Sequence, residues 1–251
     1  MNRAIVPILL TLLAAALVGL LDAHFHFAQM LRQGKPLEQR ELATQFLGAY
    51  LAEHYAGKRA IALSNPFTQE RGHAKEIYRY EAAGLRGLKQ GLAPKVTLEE
   101  VVFPEVRSLY RTNPAAVYID PSTTTPLSYL MADEALDALA QKHRSAGIIV
   151  SLIGLPINVL QTQAWRDPAG PKFALLLPDL RVLGDKPAVR AAVVRAAFKS
   201  QKIAALILPK PGAPPEDRPL GKDLKAEFDQ RFLLVTAENV EAYLKIYPQL
   251  F

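Results

Sequence analysis

The spacing of apolar positions changes several times along the chain, and each change marks an element. From Ala4 to Leu21 (AIVPILLTLLAAALVGLL) there is no polar face at all and no charge. Roughly 18 residues at 1.5 Å each reach about 27 Å as a helix, close to the thickness of a bilayer's hydrocarbon core. The stretch predicts one N-terminal transmembrane helix, and Pro7 near its start is tolerated there. Residues 28–36 read as a polar spacer. Leu42, Phe46, Leu47, Tyr50, Leu51 and His54 then fall on one face at helical spacing, and Gly57 supplies the stop.

Beyond Gly57, short apolar runs alternate with longer amphipathic ones. Strands are expected at Arg59–Ser64, Lys95–Phe103, Ala115–Ile119, Gly147–Ile153, Lys172–Leu177, Ile203–Leu208 and Phe232–Val235. Helices are expected over His73–Leu92, Leu127–His143, Lys186–Lys199 and Lys222–Gln230, with a last one after Thr236. This alternation predicts an α/β fold: a mostly parallel, doubly wound, Rossmann-like sheet flanked by helices. The domains expected are an anchor over 1–27, a spacer and amphipathic helix over 28–56, and an extracytoplasmic α/β domain over 57–251. Around residues 156–171, Trp165 sits among Asp167-Pro168 and Gly170-Pro171, which reads as a seam between two lobes or as one long surface loop. The Pro-rich segment Pro209–Pro219 is an extended partner contact or a spacer.

Charge orients the anchor. Arg3 and the initiator amine precede it, whereas Asp22, His24 and His26 follow it. Positive-inside logic keeps the N-terminus in the cytoplasm and sends the domain into the periplasm, single-pass in the inner membrane. A cleaved signal peptide is the alternative, but a cut after Ala23 would put Leu21 and not a small residue at the −3 position. Charged residues at 22% and hydrophobic ones at 50% describe a globular chain. With no Cys there is no disulfide, no thiolate zinc site and no cysteine nucleophile. The net charge of +6 is dispersed, which speaks against nucleic acid as a partner and suits anionic lipid head groups.

Catalytic signatures are missing. There is no GxGxxG, no GxxxxGK[ST], no GxSxG and no HExxH, and His54, His73 and His143 stand apart. Glu99 and Glu100 are neighbours on a strand and point to opposite faces. No catalytic residue, metal site or cofactor is therefore assigned. In an open parallel sheet, ligands bind outside the carboxyl ends of the strands. Those ends supply Asn65, then Asp120, Ser122, Thr123, Thr124 and Thr125, and later Lys210; Trp165 joins them from the 156–171 stretch. The hydroxyl cluster precedes a helix, where hydroxyls and free backbone N–H groups suit an anionic ligand group. Helix capping and an Asp-Pro turn account for the same residues without a ligand.

The run ALSNPFTQERGHAKEIYRYEAAGLRGLKQGL (62–92), a strand, a loop and a helix closing on GLxxGL, resembles the first lobe of type I periplasmic binding proteins. GIIVSLIGLP (147–156) and KIAALILP (202–209) resemble inner strands of that family, so the likeness covers about half of the chain. It implies an α/β sandwich with a ligand cleft at the strand ends. The family has two full lobes on a longer chain and is often lipidated at a Cys, and this sequence departs from it on both counts. The anchor and the missing motifs lead to the expectation of a non-catalytic, membrane-tethered accessory or scaffold subunit of an envelope complex, with protein partners there. A solute-binding or sensing domain with a small-molecule cleft is the alternative, and a hydrolase-type enzyme using Asp120 is a third reading.

Overall fold

The computed structural model describes residues 36–251. The expected anchor lies outside them, and among the described residues no helix is long and apolar enough to cross a membrane. In chain order the elements are α1 (36–54), β1 (Arg59–Leu63), α2 (Lys75–Leu92), β2 (Thr97–Val102), α3 (Ser108–Thr112), α4 (Leu127–Leu130) and α5 (Ala135–Lys142). They continue with β3 (Ile148–Ser151), α6 (Gln163–Arg166), β4 (Lys172–Leu176), α7 (Pro187–Lys199), β5 (Ile203–Pro209), α8 (Leu224–Arg231), β6 (Phe232–Val235) and α9 (Val240–Ile246). One six-stranded sheet results, in the order β2-β1-β3-β4-β5-β6. The first five strands are parallel and β6 runs antiparallel to β5.

Period-two alternation within the strands builds a core on each face. Ala60, Ala62, Ile148, Val150, Ala174 and Leu176 face one side, against Leu42, Leu47 and Leu51 of α1, Leu88 and Leu92 of α2, and Phe228 of α8. Ile61, Leu63, Ile149, Phe173 and Leu175 face the other, with Leu136 of α5, Val194 and Phe198 of α7, and Leu244 of α9. Burial on both faces is why these strands read as unbroken apolar runs.

The GLxxGL motif acts through its glycines. A Cβ on Gly87 would collide with the carbonyl oxygen of Glu41 and the hydroxyl of Thr44, and one on Gly91 with the carbonyl of Gln45. On Gly48 of α1, a Cβ would lie 2.9 Å from the Leu88 carbonyl oxygen. The two helices therefore meet backbone to backbone, and α1 is seated hard against α2.

Two expectations are corrected. Ala115–Ile119 is not a strand: Pro114 starts a 3-10 turn over Pro114–Ala116, and the stretch is exposed, with Tyr118 at 75%. It lies in an excursion, 103–131, closed at its neck by an antiparallel bridge between Val106 and Met131. The single helix expected over Leu127–His143 is two, α4 and α5, because Met131 is extended where it makes that bridge. β6 is antiparallel because α8 runs straight into it and Phe232 pairs with Pro209, so β6 starts at the end of the sheet where β5 stops. The 156–171 segment links β3 to β4, which are direct neighbours in the sheet.

A candidate ligand cleft at the carboxyl ends of the strands

Strand order reverses between β1 and β3, and an open α/β sheet has its natural crevice at that point. A cleft of about 910 Å³ opens there. Its floor comes from the strand ends: Asn65 after β1, Leu152 and Ile153 after β3, Leu176 to Asp179 at β4, and Leu208-Pro209 of β5. Arg40 of α1 with Tyr80 and Glu81 of α2 form one wall, and residues 119–130 of the excursion form the other. Glu216 of the Pro-rich loop reaches the rim, where its carbonyl accepts from Gln39 Nε2 at 2.8 Å.

Two polar networks shape the cleft. At the switch point, Arg40 Nη2 donates to Glu81 Oε1 at 2.7 Å and to the Leu152 carbonyl at 3.1 Å. Ser64 Oγ donates to Glu81 Oε2 at 2.8 Å, so the ends of β1 and β3 are joined through an ion pair whose two members are about 5% exposed. The Arg40 guanidinium also lies 4.1 Å from the centroid of the Tyr80 ring, a cation–π distance.

The second network clasps the excursion to the loop after β4. Arg181 Nε and Nη2 grip Asp179, with Nη2 2.5 Å from Oδ2, and Nη1 donates to Asp120 Oδ2 at 2.9 Å and Ser122 Oγ at 2.6 Å. Thr123 Oγ1 donates to Asp179 Oδ2 at 2.7 Å. Burial pushes the Asp179 carboxyl up, but hydrogen bonds from Arg181 and Thr123 outweigh it and hold the group below the usual carboxylate range. The Asp120 carboxyl is held low chiefly by the Ser122 hydroxyl and amide, with Arg181 adding to them.

Of the residues expected at a site, Asn65, Ser122, Thr124 and Thr125 line the cleft. Asn65 Oδ1 also caps the turn Pro66–Gln69 by accepting from Phe67 N at 3.0 Å. Thr125 Oγ1 accepts from Ser128 Oγ at 2.9 Å beneath Gly154, whose φ of +83° turns the chain after β3. Asp120 and Thr123 work in the clasp. Lys210 lies just past β5 but turns toward α8, donating from Nζ to the Asp229 carbonyl at 2.7 Å. Trp165 is at the other end of the sheet, its ring 5.7 Å from that of Phe173 at the start of β4. Nearby, Lys202 Nζ donates to the carbonyls of Ala164, Asp167 and Pro171 and pins that loop.

Sequence reasoning missed Arg40, Tyr80, Glu81, Asp179 and Arg181. An Asp-x-Arg step directly after the apolar run FALLLP was a legible signal for the last two. Nothing local marks Arg40, which precedes β1 in the chain. Among the described residues no group of three or more His, Asp or Glu is placed to hold a metal ion.

No protein-family model matches the sequence, and no curated protein matches it either. Solved structures similar to the chain include a carbohydrate transporter from Acidothermus cellulolyticus 11B in complex with myo-inositol, 16% identical with a TM-score of 0.42, over 84% of this chain and 62% of that one. A carbohydrate transporter solute binding protein from Agrobacterium radiobacter in complex with D-arabinose is 14% identical with a TM-score of 0.43, over 81% and 62%. A periplasmic sugar-binding protein from Pseudomonas fluorescens is 13% identical with a TM-score of 0.43, over 84% and 58%. The chain thus spans about three fifths of the length of the structures it resembles. The expectation of an accessory or scaffold subunit is not met among these structures, whose descriptions are of carbohydrate transport and sugar binding.

Proposed function

We propose that the domain binds or senses a small, uncharged, hydroxyl-bearing solute of the monosaccharide or polyol class in the strand-end cleft. The observation that carries this reading is the cleft at the switch point and its balance of charge: Arg40, Arg181 and Arg190 line it together with Glu81, Asp179 and Glu216. Arg40 and Arg181 are each paired with carboxylates, and Arg190 spends its Nη1 on the carbonyls of Gly184 and Asp185. The three Arg and three carboxylates that line the cleft balance in charge, which disfavours a ligand of strong net charge, whereas hydroxyls find donors and acceptors of both kinds. Apolar walls from Leu127, Leu152, Leu177 and Leu250, with Tyr80 and Tyr110, suit the C–H faces of a sugar ring.

A non-enzymatic role accords with Asp120, whose Oδ1 is engaged by the Ser122 amide and hydroxyl and whose Oδ2 is engaged by Arg181, so that neither oxygen is free to act as base or nucleophile. We place the domain in the periplasm, tethered to the inner membrane through residues 4–21. Replacing Leu12 or Leu13 by Arg then costs about 3 kcal/mol of insertion free energy and releases the protein from membranes; continued sedimentation with the membrane fraction would refute the tether. The solute reading is tested by thermal denaturation and calorimetry against a panel of aldopentoses, aldohexoses and cyclitols that includes D-arabinose and myo-inositol. A solute present at 100 times its Kd should stabilise the fold by about 2.7 kcal/mol. A panel in which no member moves Tm or gives heat overturns the reading.

A further inference from the structure

Arg40 is the least expected occupant of the cleft. Its side chain is 5% exposed, and a buried ion pair is often no more stabilising than well-packed apolar residues of the same volume. The pair is also imperfect. Nε is buried without a hydrogen-bond partner, because it points at Gly84 of α2, where a Cβ would come within 2.9 Å of it. Leaving a buried donor unsatisfied is destabilising, so this arrangement is poorly explained by stability.

Its geometry is that of a donor held at a set angle. Nη2 is fixed by Glu81 and the Leu152 carbonyl, Ser64 holds the far oxygen of Glu81, and the Tyr80 ring covers the guanidinium. What remains is Nη1. It has no partner among the described residues and, unlike Nε, it is not sealed from solvent; the cavity that Arg40 lines is the strand-end cleft. The contacts of Nη2 with the Leu152 carbonyl after β3 and, through Glu81, with Ser64 after β1 put the guanidinium at the switch point, where an open sheet has its crevice.

We infer that Arg40 is the anchoring residue of the cleft, donating from Nη1 to an acceptor oxygen of the solute, with Glu81 as the positioning residue that neutralises and orients it. The inference rests on the solute-binding reading above. Because Glu81 balances the charge, Arg40 serves as an oriented donor and not as an unpaired cation, so the acceptor is a hydroxyl or ring oxygen. α1, which precedes the sheet in the chain, thereby becomes part of the binding site.

The test must separate anchoring from folding. Arg40→Met alone strands Glu81 as a buried charge, so the informative protein is the double variant Arg40→Met/Glu81→Met, which removes both charges and keeps the volume. Wild type and double variant are titrated by calorimetry with each member of the same panel, D-arabinose and myo-inositol included, and Tm is recorded without solute. The inference expects the double variant to keep a Tm within a few degrees of wild type and to bind about 10- to 100-fold more weakly, the loss of one hydrogen bond from a charged donor. Arg40→Lys, which keeps the charge on Glu81 but lacks the fork, should also weaken binding at least 10-fold. Wild-type binding with unchanged affinity in the double variant and in Arg40→Lys overturns the anchor and leaves the cleft standing. No binding of any member of the panel to wild type overturns the anchor together with the cleft reading.

Discussion

Asp179 and Arg181 make the sharpest residue-scale predictions, because a few atoms clasp residues 120–123 of the excursion to the loop after β4. Asp179→Ala removes the acceptor for Arg181 and Thr123 and should cost about 1–2 kcal/mol in urea unfolding, discounted for the partial exposure of Arg181. The larger effect should be local, as faster hydrogen exchange at residues 117–126 than in β4. The same clasp is pH-sensitive in a definite direction. A carboxyl whose folded pKa is depressed contributes stability above its unfolded value of about 3.9 and loses it as pH falls through the lower folded value. Protection of 117–126, corrected for intrinsic exchange, should be flat from pH 7 to 5 and collapse below about 4; equal protection at pH 3 and 6 would show that the clasp is not what holds the segment. Thr124 lines the cleft and has no clasp bond, so Thr124→Ala should spare stability and weaken solute binding. The sequence pointed to Asp120 and the hydroxyls because they follow a strand-like run and precede a helix. It could not separate those that face the cleft from those spent on Arg181, since the partner lies about 60 residues away.

Between elements, the α1–α2 seam is the least forgiving contact. Gly91→Ala would place a methyl group against the backbone of Gln45 and Ala49, where no side chain can swing aside. Overpacking of this kind costs about 1–3 kcal/mol, and pushing α1 away also lifts Arg40 from Glu81. Urea unfolding of Gly91→Ala should therefore show lower stability, and any solute bound by wild type should be held less tightly; a variant equal to wild type in both would show that the seam can yield. These glycines were visible in the sequence as a rhythm, but their physical reason was not, because it depends on a helix packed from outside the β-α unit. The strands of the sheet were legible for the opposite reason: burial on both faces writes itself into each run without reference to a partner. Ala115–Ile119 has the same apolar look and no sheet to join, bracketed as it is by Pro114 and Pro121.

For the molecule as a whole, layer order and crevice follow from the alternation of strands and helices, and that much could be read before any coordinates. The cleft's outer enclosure, its second wall and rim, could not. It is built by an excursion with little regular structure and by Glu216 of the Pro-rich loop, segments whose composition says only that they are not strands or helices. The two ends of the sheet have thus been given different tasks, the carboxyl end an open cleft and the amino end a loop pinned by Lys202. Trp165, the sole tryptophan, belongs to the pinned end and rests on Phe173. Its emission is in consequence a clean optical gauge of global unfolding and nearly blind to what enters the cleft. A saturating solute should leave the emission maximum where it was while shifting the urea midpoint read at that same wavelength. The nearest chromophores to a bound molecule are instead Tyr80 and Tyr110, so tyrosine difference absorbance is the signal in which occupancy becomes visible.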